Sequence, residues 1–166
     1  MEKQRTSFDR TILLILRLTM AWTFLYAASQ QVFVPGWTAA KFLGNTKTFH
    51  FLFVPLAAPE LAPIVTFLVS YGHLLIGLCL LVGLMVRLSA GAGIVLMLLY
   101  WLGQMDFPYI VDRTNYVIDF HIVYALVLVY LIANRAGRVA GLDGWLSTMP
   151  AVRANPLLRW ASAASR

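Results

Sequence analysis

Four long apolar stretches fill most of this 166-residue chain, and they decide the solvent in which it folds. The stretches are residues 11–34, 61–86, 88–105 and 116–134. About 20 helical residues cross the roughly 30 Å hydrocarbon core of a bilayer, so each stretch is about long enough to span a membrane. Since lipid cannot satisfy unpaired backbone groups, stretches of this length favour helices. The sequence therefore predicts an all-α integral membrane protein, built as a four-helix transmembrane bundle.

The charged residues indicate the orientation of this bundle rather than an affinity for nucleic acid. They make up 12% of the chain, against about 25% in soluble domains, and the net charge of +6 comes from the ends of the apolar stretches. The two terminal flanks and the short link between the second and third stretches are basic; they hold Lys3, Arg5, Arg10, Arg87, Arg135, Arg138, Arg153, Arg159 and Arg166. Because basic residues stay on the cytoplasmic side, we predict a multi-pass protein of the inner (cytoplasmic) membrane with both termini cytoplasmic. The other two loops mix both signs of charge in Lys41, Lys47, Glu60, Asp106, Asp112 and Arg113, and would be extracytoplasmic.

Two aromatic segments outside the spans are candidates for docking. Residues 35–60 are too long for a turn and carry five aromatic side chains, which is typical of a cap on the outer membrane face. The chain becomes polar after the last span, and we divide it into a four-span membrane domain, residues 1–143, and a basic cytoplasmic tail, residues 144–166. The residues predicted to contact other membrane protein subunits in a hetero-oligomer are Trp37, Phe53, Trp145 and Trp160.

Arg17 is the most informative polar residue, because it lies about two turns into the first span and is always charged. Two interpretations stay open. Its side chain can reach back to the cytoplasmic face, or it can point inward and pair with an acidic group or hold an anionic or quinone oxygen. Gln30 and Gln31 lie about 20 Å further along the same helix, and their amides either bond neighbouring helices or join such a site.

The second and third spans add fewer polar groups. Tyr71 and His73 lie in the outer third of the second span, and Tyr100 lies near the outer end of the third. An isolated histidine in a span is more often a helix contact than a ligand. Cys79 is the single cysteine, and the chain has no HxxxH or CxxC pattern, so no metal site is predicted.

Asp119 and His121 lie at the outer end of the fourth span. Side chains two residues apart point roughly 200° apart on a helix, so these two can meet only if the start of the helix is distorted. An aspartate and a histidine at this position either relay protons to a quinone or cap the helix and bond the loop. The sequence leaves both interpretations open.

Several of these positions belong to an ordered set of short motifs. The set includes Leu16-Arg17-Leu18, Pro35-Gly36-Trp37, Leu43-Gly44-Asn45, Gly83-Leu84, Arg87-Leu88, Met97-Leu98-Leu99-Tyr100, Asp106-Phe107-Pro108-Tyr109, Asp119, His121 and Gly141-Leu142-Asp143. In order and spacing it resembles the DoxX family, and most closely the DoxD small subunit of thiosulfate:quinone oxidoreductase. The resemblance covers about residues 14–143. It implies a role in electron transfer at the quinone pool.

The chain departs from the family pattern where that pattern is charged. Gln30-Gln31 stands in place of a Glu-Lys pair, and Ser70-Tyr71-Gly72 stands where a glutamate precedes Trp-Gly. Phe120 takes the middle place of an Asp-Glu-His run. Loss of charge from a buried polar cluster removes proton and anion chemistry but preserves packing. The departures therefore favour a subunit that keeps the scaffold and loses some or all of the activity.

Three functional hypotheses follow. The first, which the departures favour, is an accessory or structural subunit of a larger membrane electron-transfer complex, holding partner helices, lipids, quinones or pigments. The second is an active DoxD-like oxidoreductase subunit that passes electrons from a sulfur compound to the quinone pool. The third is a small transport or membrane-stress protein of the wider DoxX group. No covalently bound cofactor is expected. A quinone or anion site would draw on Arg17, Gln31, Tyr71, Tyr100, Asp119 and His121.

Overall fold

The computed structural model describes residues 6–110 and 115–162. The helices, in chain order, are α1 (Ser7–Val32), α2 (Ala40–Gly44), α3 (His50–Phe53), α4 (Ala62–Val82), α5 (Val86–Gly103), α6 (Phe120–Ala133), α7 (Leu142–Leu146), α8 (Pro150–Ala154) and α9 (Pro156–Ala161). Short 3-10 turns cover Val54–Ala57 and Ala136–Arg138, and the strands are β1 (Met105–Asp106), β2 (Tyr109–Ile110) and β3 (Asn115–Tyr116). Five residues used to predict the topology lie outside the described part: Lys3, Arg5, Asp112, Arg113 and Arg166.

Three of the helices, α1, α4 and α5, are long and apolar enough to cross a membrane by length and composition. The prediction of a mostly helical membrane protein is therefore confirmed. The helix α6 is apolar as well, but it has only 14 residues. A fourth span, and the cytoplasmic side of both termini, stay predictions.

The ends of the long helices follow from local chemistry. At the start of α1, the Thr6 hydroxyl accepts from the Asp9 amide at 3.1 Å, and the Asp9 carboxylate accepts from the Thr6 amide at 3.1 Å. This reciprocal pair satisfies two amides that the first turn leaves without helical partners. At the end of α4, Gly83 adopts a φ of 69°, a left-handed conformation that glycine tolerates without steric cost. The chain reverses there and enters α5 after two residues, so a short link is present as predicted, but it lies at residues 83–85 and the predicted link residue Arg87 belongs to the first turn of α5.

The long helices pack as two pairs, α1 with α4 and α5 with α6, while α1 and α6 touch much less. The shared core consists of apolar side chains from all four helices, among them Leu13, Met20, Phe24, Leu80, Ala90, Met97, Leu128 and Leu131. Small residues allow close approach, as predicted. A methyl group built on Gly77 would lie 2.7 Å from the Leu25 side chain, and one on Gly93 would lie 3.0 Å from Leu128.

Residues 33–61 form a folded cap over one end of the bundle, which we call the cap end. Its interior holds Ala39, Leu43 and Phe53, each 5% exposed or less. Lys47 Nζ lies 2.7 Å from Asp106 Oδ2 and ties the cap to β1. Phe53 is predicted as a docking residue, but it is buried in this cap, whereas Phe51 is 69% exposed. The α3 turn explains this placement, because neighbouring side chains on a helix point in different directions.

The predicted start of the fourth span differs from the observed one. Residues 116–119 lie within the apolar stretch, yet Tyr116 pairs with Tyr109 in the small antiparallel sheet β1-β2-β3. The helix α6 begins only at Phe120. The run Asn115-Tyr116-Val117-Ile118 is rich in β-branched and aromatic residues, which suit a strand as well as a buried helix.

Candidate functional site

Arg17 points into the protein at the end of the bundle opposite the cap. It is 1% exposed, so the interpretation in which it reaches the membrane surface is wrong. Its guanidinium donates to the backbone carbonyls of Ala136 at 2.7 Å, Val139 at 2.8 Å and Ala140 at 3.0 Å. These carbonyls belong to the irregular chain after α6, where only the Ala136 carbonyl also accepts from a backbone amide in the described residues, that of Val139 at 3.1 Å. Arg17 therefore serves the backbone of its own chain.

Asp143 completes this arrangement, which we call the Arg17 cluster: Arg17, Asp143, and the segment 136–143. The Asp143 carboxylate accepts from the amides of Met85 at 2.6 Å and Val86 at 3.0 Å, and so caps the start of α5. The Asp143 amide donates to the Gly83 carbonyl at 2.9 Å. Burial raises the pKa of the Asp143 carboxyl, and the two amide donors and the charge of Arg17 oppose this rise. The cluster locks α1, the α4–α5 link and the chain after α6 together.

A cavity of about 220 Å³ lies in the cap-end half of the bundle, among α1, α4, α5 and α6. We call it the cap-end cavity. Its lining combines apolar side chains with polar ones: Thr23, Phe24, Ala27, Gln31, His73, Met97, Tyr100, Gln104, Phe120, His121 and Tyr124. Such a mixture, mostly apolar with a few convergent polar groups, is typical of sites for small molecules.

Asp119 orients His121 toward this cavity. Asp119 has an extended backbone as the N-cap of α6, and its Oδ1 accepts from the His121 amide at 3.0 Å. Its Oδ2 lies 2.7 Å from His121 Nδ1, and both side chains are buried. Since a carboxylate only accepts, Nδ1 carries a proton and Nε2 is left to serve the cavity. Asp119 therefore caps the helix, as one of the two sequence interpretations expects, and it also meets the His121 side chain because it lies outside the helix.

His73 and Tyr100 extend this polar group across the cavity. The Tyr100 ring stacks on His121 with centroids 5.8 Å apart, and its centroid lies 5.7 Å from that of His73. His73 is 3% exposed, and its Nδ1 lies 2.8 Å from the Val69 carbonyl of its own helix. The bond fixes the proton on Nδ1, so this ring also turns Nε2 to other partners.

Gln31 brings an amide to the same place. Its Oε1 is buried and has no hydrogen-bond partner among the described residues. Leaving a buried acceptor unpaired costs about 1–3 kcal/mol, and such a group is a natural point of contact for a donor on a bound molecule.

The predicted site residues are therefore divided by the fold. Gln31, Tyr100 and His121 line the cap-end cavity, and Asp119 stands behind His121. Arg17 lies 14 residues from Gln31 on α1, about 21 Å away, and belongs to the opposite end. Tyr71 does not line the cavity; it is 43% exposed and packs on Phe67 with ring centroids 4.6 Å apart.

Two lining residues, His73 and Gln104, are not among the site residues predicted from the sequence. The sequence does contain a signal for His73. It lies two residues from Tyr71, so the two side chains point nearly opposite ways on a helix, and an outward Tyr71 implies an inward His73. No comparable signal exists for Gln104, which is the C-cap of α5. Among the described residues, no three His, Cys, Asp or Glu side chains are grouped closely enough to hold a metal ion.

Comparison with known proteins gives one match. A protein family model, DoxX, matches residues 12–104, which is more than half of the chain. No curated protein matches, and no solved structure matches. The matched segment contains Arg17, Gln31, His73 and Tyr100, and it ends before Asp119 and His121.

Proposed function

The chain belongs to the DoxX family, and we propose that it is an integral membrane subunit of a larger electron-transfer complex, in which it binds a quinone headgroup in the cap-end cavity. The observation that carries the proposal is a row of three rings, His73, Tyr100 and His121, in an apolar cavity. The centroid of the Tyr100 ring lies 5.7 Å from that of His73 and 5.8 Å from that of His121. A quinone headgroup needs hydrogen-bond partners beside apolar surface, and the cavity offers both.

The residues of the cavity fit such a headgroup by chemistry. A quinone supplies two carbonyl oxygens and, when reduced, two hydroxyl groups. The Nε2 atoms of His121 and His73 and the unpaired Oε1 of Gln31 are acceptors that suit the hydroxyl groups of the reduced form, and the Tyr100 hydroxyl and the Gln31 Nε2–H are donors that suit the carbonyl oxygens. Asp119 accepts the Nδ1–H of His121 and so holds the ring with Nε2 toward the bound headgroup.

The hydrogen bonds that Arg17 already makes favour the accessory role over oxidation of a sulfur compound. An enzyme that oxidises thiosulfate must bind an anion, and Arg17 is the only cation predicted to hold one inside the bundle. Its Nη1 and Nη2 atoms already donate to three carbonyls of the chain. Three of its five N–H groups are therefore in use, and only one N–H of Nη2 and the N–H of Nε, which is buried without a partner in the described residues, are left for a polyatomic anion.

Quinone binding is tested with the purified chain in nanodiscs, by titrating a short-chain ubiquinone analogue and measuring heat of binding. We expect His121→Gln and Asp119→Asn to weaken binding about tenfold each, since each removes one charge-assisted contact. His50→Gln is the matched control, because His50 lies in the cap and its side chain bonds only to Thr46 among the described residues. Equal affinities in all four proteins would contradict the site.

The place in a complex is tested separately. A tagged chain is isolated from its own membranes in mild detergent, and the proteins retained with it are identified. We expect a redox protein carrying a haem, flavin or iron–sulfur centre to be retained in fixed stoichiometry. An isolated chain that reduces quinone with thiosulfate, without any partner, would instead support the active oxidoreductase.

A further inference from the structure

A second and larger recess lies at the other end of the bundle, and it has no part in the proposed quinone site. It is a groove of about 1080 Å³ between the start of α1 and the end of α6. The groove exists because α1 packs mainly on α4 and α6 mainly on α5, which leaves these two helices apart. Its lining is Thr6, Ser7, Asp9, Arg10, Thr11, Leu13, Leu14, Tyr130, Asn134, Arg135, Arg138, Val139 and Ala140.

Three arginines make this groove strongly basic. Arg10, Arg135 and Arg138 all line it. In residues 6–110 and 115–162, none of their guanidinium groups forms an ion pair or a hydrogen bond. This contrasts with Arg17, which lies nearby in the chain and is engaged by three carbonyls. Arginine forks match phosphate oxygens in geometry and charge, so the three free groups fit a phosphate.

The floor of the groove is apolar, and this distinguishes a lipid from a free anion. Leu13 and Leu14 of α1 and the ring of Tyr130 on α6 lie beside the basic rim. The groove therefore has charge at the helix ends and apolar surface toward the middle of the helices. An anionic phospholipid has the same order, with its phosphate at the membrane surface and its acyl chains below.

We propose that this groove binds the headgroup of an anionic phospholipid from the surrounding bilayer, with the phosphate on Arg10, Arg135 and Arg138 and the upper acyl chains against Leu14 and Tyr130. A lipid in this position fills the gap between α1 and α6. It thereby bridges the two helix pairs through α1 and α6, which contact each other much less than the helices within each pair do.

The test is native mass spectrometry of the full chain released from micelles that contain equal amounts of phosphatidylglycerol and phosphatidylcholine. The wild type is expected to retain phosphatidylglycerol in preference to phosphatidylcholine. The double variant Arg10→Gln, Arg138→Gln is expected to lose about tenfold or more of this retention, because each removed charge weakens attraction to an anionic headgroup. The double variant Lys41→Gln, Arg159→Gln loses the same charge from exposed sites outside the groove and is expected to retain the lipid as the wild type does.

Each other outcome would overturn the proposal. Equal retention of both lipids, or an equal loss in both double variants, would mean that general surface charge holds the lipid. Displacement of phosphatidylglycerol by inorganic phosphate at millimolar concentration would make the groove a free-phosphate site. Should the groove variant fail to fold, Arg10→Lys with Arg138→Lys keeps the charges and is expected to keep most of the retention. Its loss of lipid preference would also overturn the proposal.

Discussion

Replacing Arg17 by methionine is expected to destabilise the fold far more than its place in an apolar helix suggests. The change removes the donors of three hydrogen bonds, to the carbonyls of Ala136, Val139 and Ala140. The Ala136 carbonyl keeps the Val139 amide as a donor, whereas the carbonyls of Val139 and Ala140 lose the donor that Arg17 supplies, and a buried carbonyl left unpaired costs about 1–3 kcal/mol. Hydrogen bonds between membrane helices are worth less on average, about 0.6 kcal/mol, and methionine is easier to bury than a cation.

The balance of these effects is an expected loss of about 3–5 kcal/mol in the free energy of unfolding, the range seen when one partner of a buried charged network is removed. The assay is unfolding of the chain in bicelles with increasing dodecyl sulfate, followed by tryptophan fluorescence. Arg159→Met is the matched control, since Arg159 is exposed and makes no side-chain bond to the described residues. This substitution should change the free energy of unfolding by no more than about 0.5 kcal/mol.

A third variant separates charge from geometry. Arg17→Lys keeps the positive charge near Asp143 but replaces a planar fork by a single ammonium group, so an intermediate loss is expected. A methionine variant within about 1 kcal/mol of the wild type would refute the reasoning, because the three carbonyls would then be satisfied without Arg17.

Three further predictions follow from the same structure. Gly137→Ala should lower the stability by several kcal/mol, because the added methyl group would overlap the Asp143 carboxylate. Gly91→Ala is the control, since its methyl group meets nothing within 4 Å, and it should be neutral or slightly stabilising. Thermal unfolding of the two variants and the wild type measures the difference. In a background without the native cysteine, a membrane-impermeant thiol reagent added outside should label a cysteine at Asn45 and not one at Arg138, and the reverse pattern would contradict the predicted orientation. Deletion of residues 147–166, which spares Asp143, should leave the chain folded but reduce its capture of partner subunits, so full assembly of the truncated chain would exclude the tail as a docking element.

The long helices could be predicted from the sequence because hydrophobic length is a local property. The ends of α1, α4 and α5 all fall within four residues of the ends of the apolar stretches. The capping box at Thr6 explains the four-residue difference at the start of α1, since it extends the helix back to Ser7. The start of α6 could not be read in this way, because residues 115–118 suit a strand and a helix equally well.

The candidate site could be predicted only in part, because it depends on which faces of different helices meet. Asp119 and His121 are recognisable as polar residues at a span end, and Tyr100 as a phenol near them. The contribution of His73 depends on the packing of α4 against α1 and α5, which no local pattern specifies. Arg17 could be recognised from the sequence as important, because a charged side chain inside a span costs free energy. Its partners could not be predicted, since they are backbone carbonyls, which have no signature in the sequence.

The short helix α6 has a consequence for the thickness of the surrounding bilayer. Its 14 residues rise about 21 Å, roughly 9 Å less than a typical hydrocarbon core. A crossing of α6 would then leave the small sheet β1-β2-β3, with the strand Asn115–Tyr116 just before the helix, at the depth of the outer acyl chains. Strand pairing satisfies part of the backbone groups there, and mismatch on the α6 side favours a locally thinned leaflet. Water would then stand closer to Asp119 and His121 than the helix lengths of α1 and α4 suggest, which gives protons a short path to the cap-end cavity.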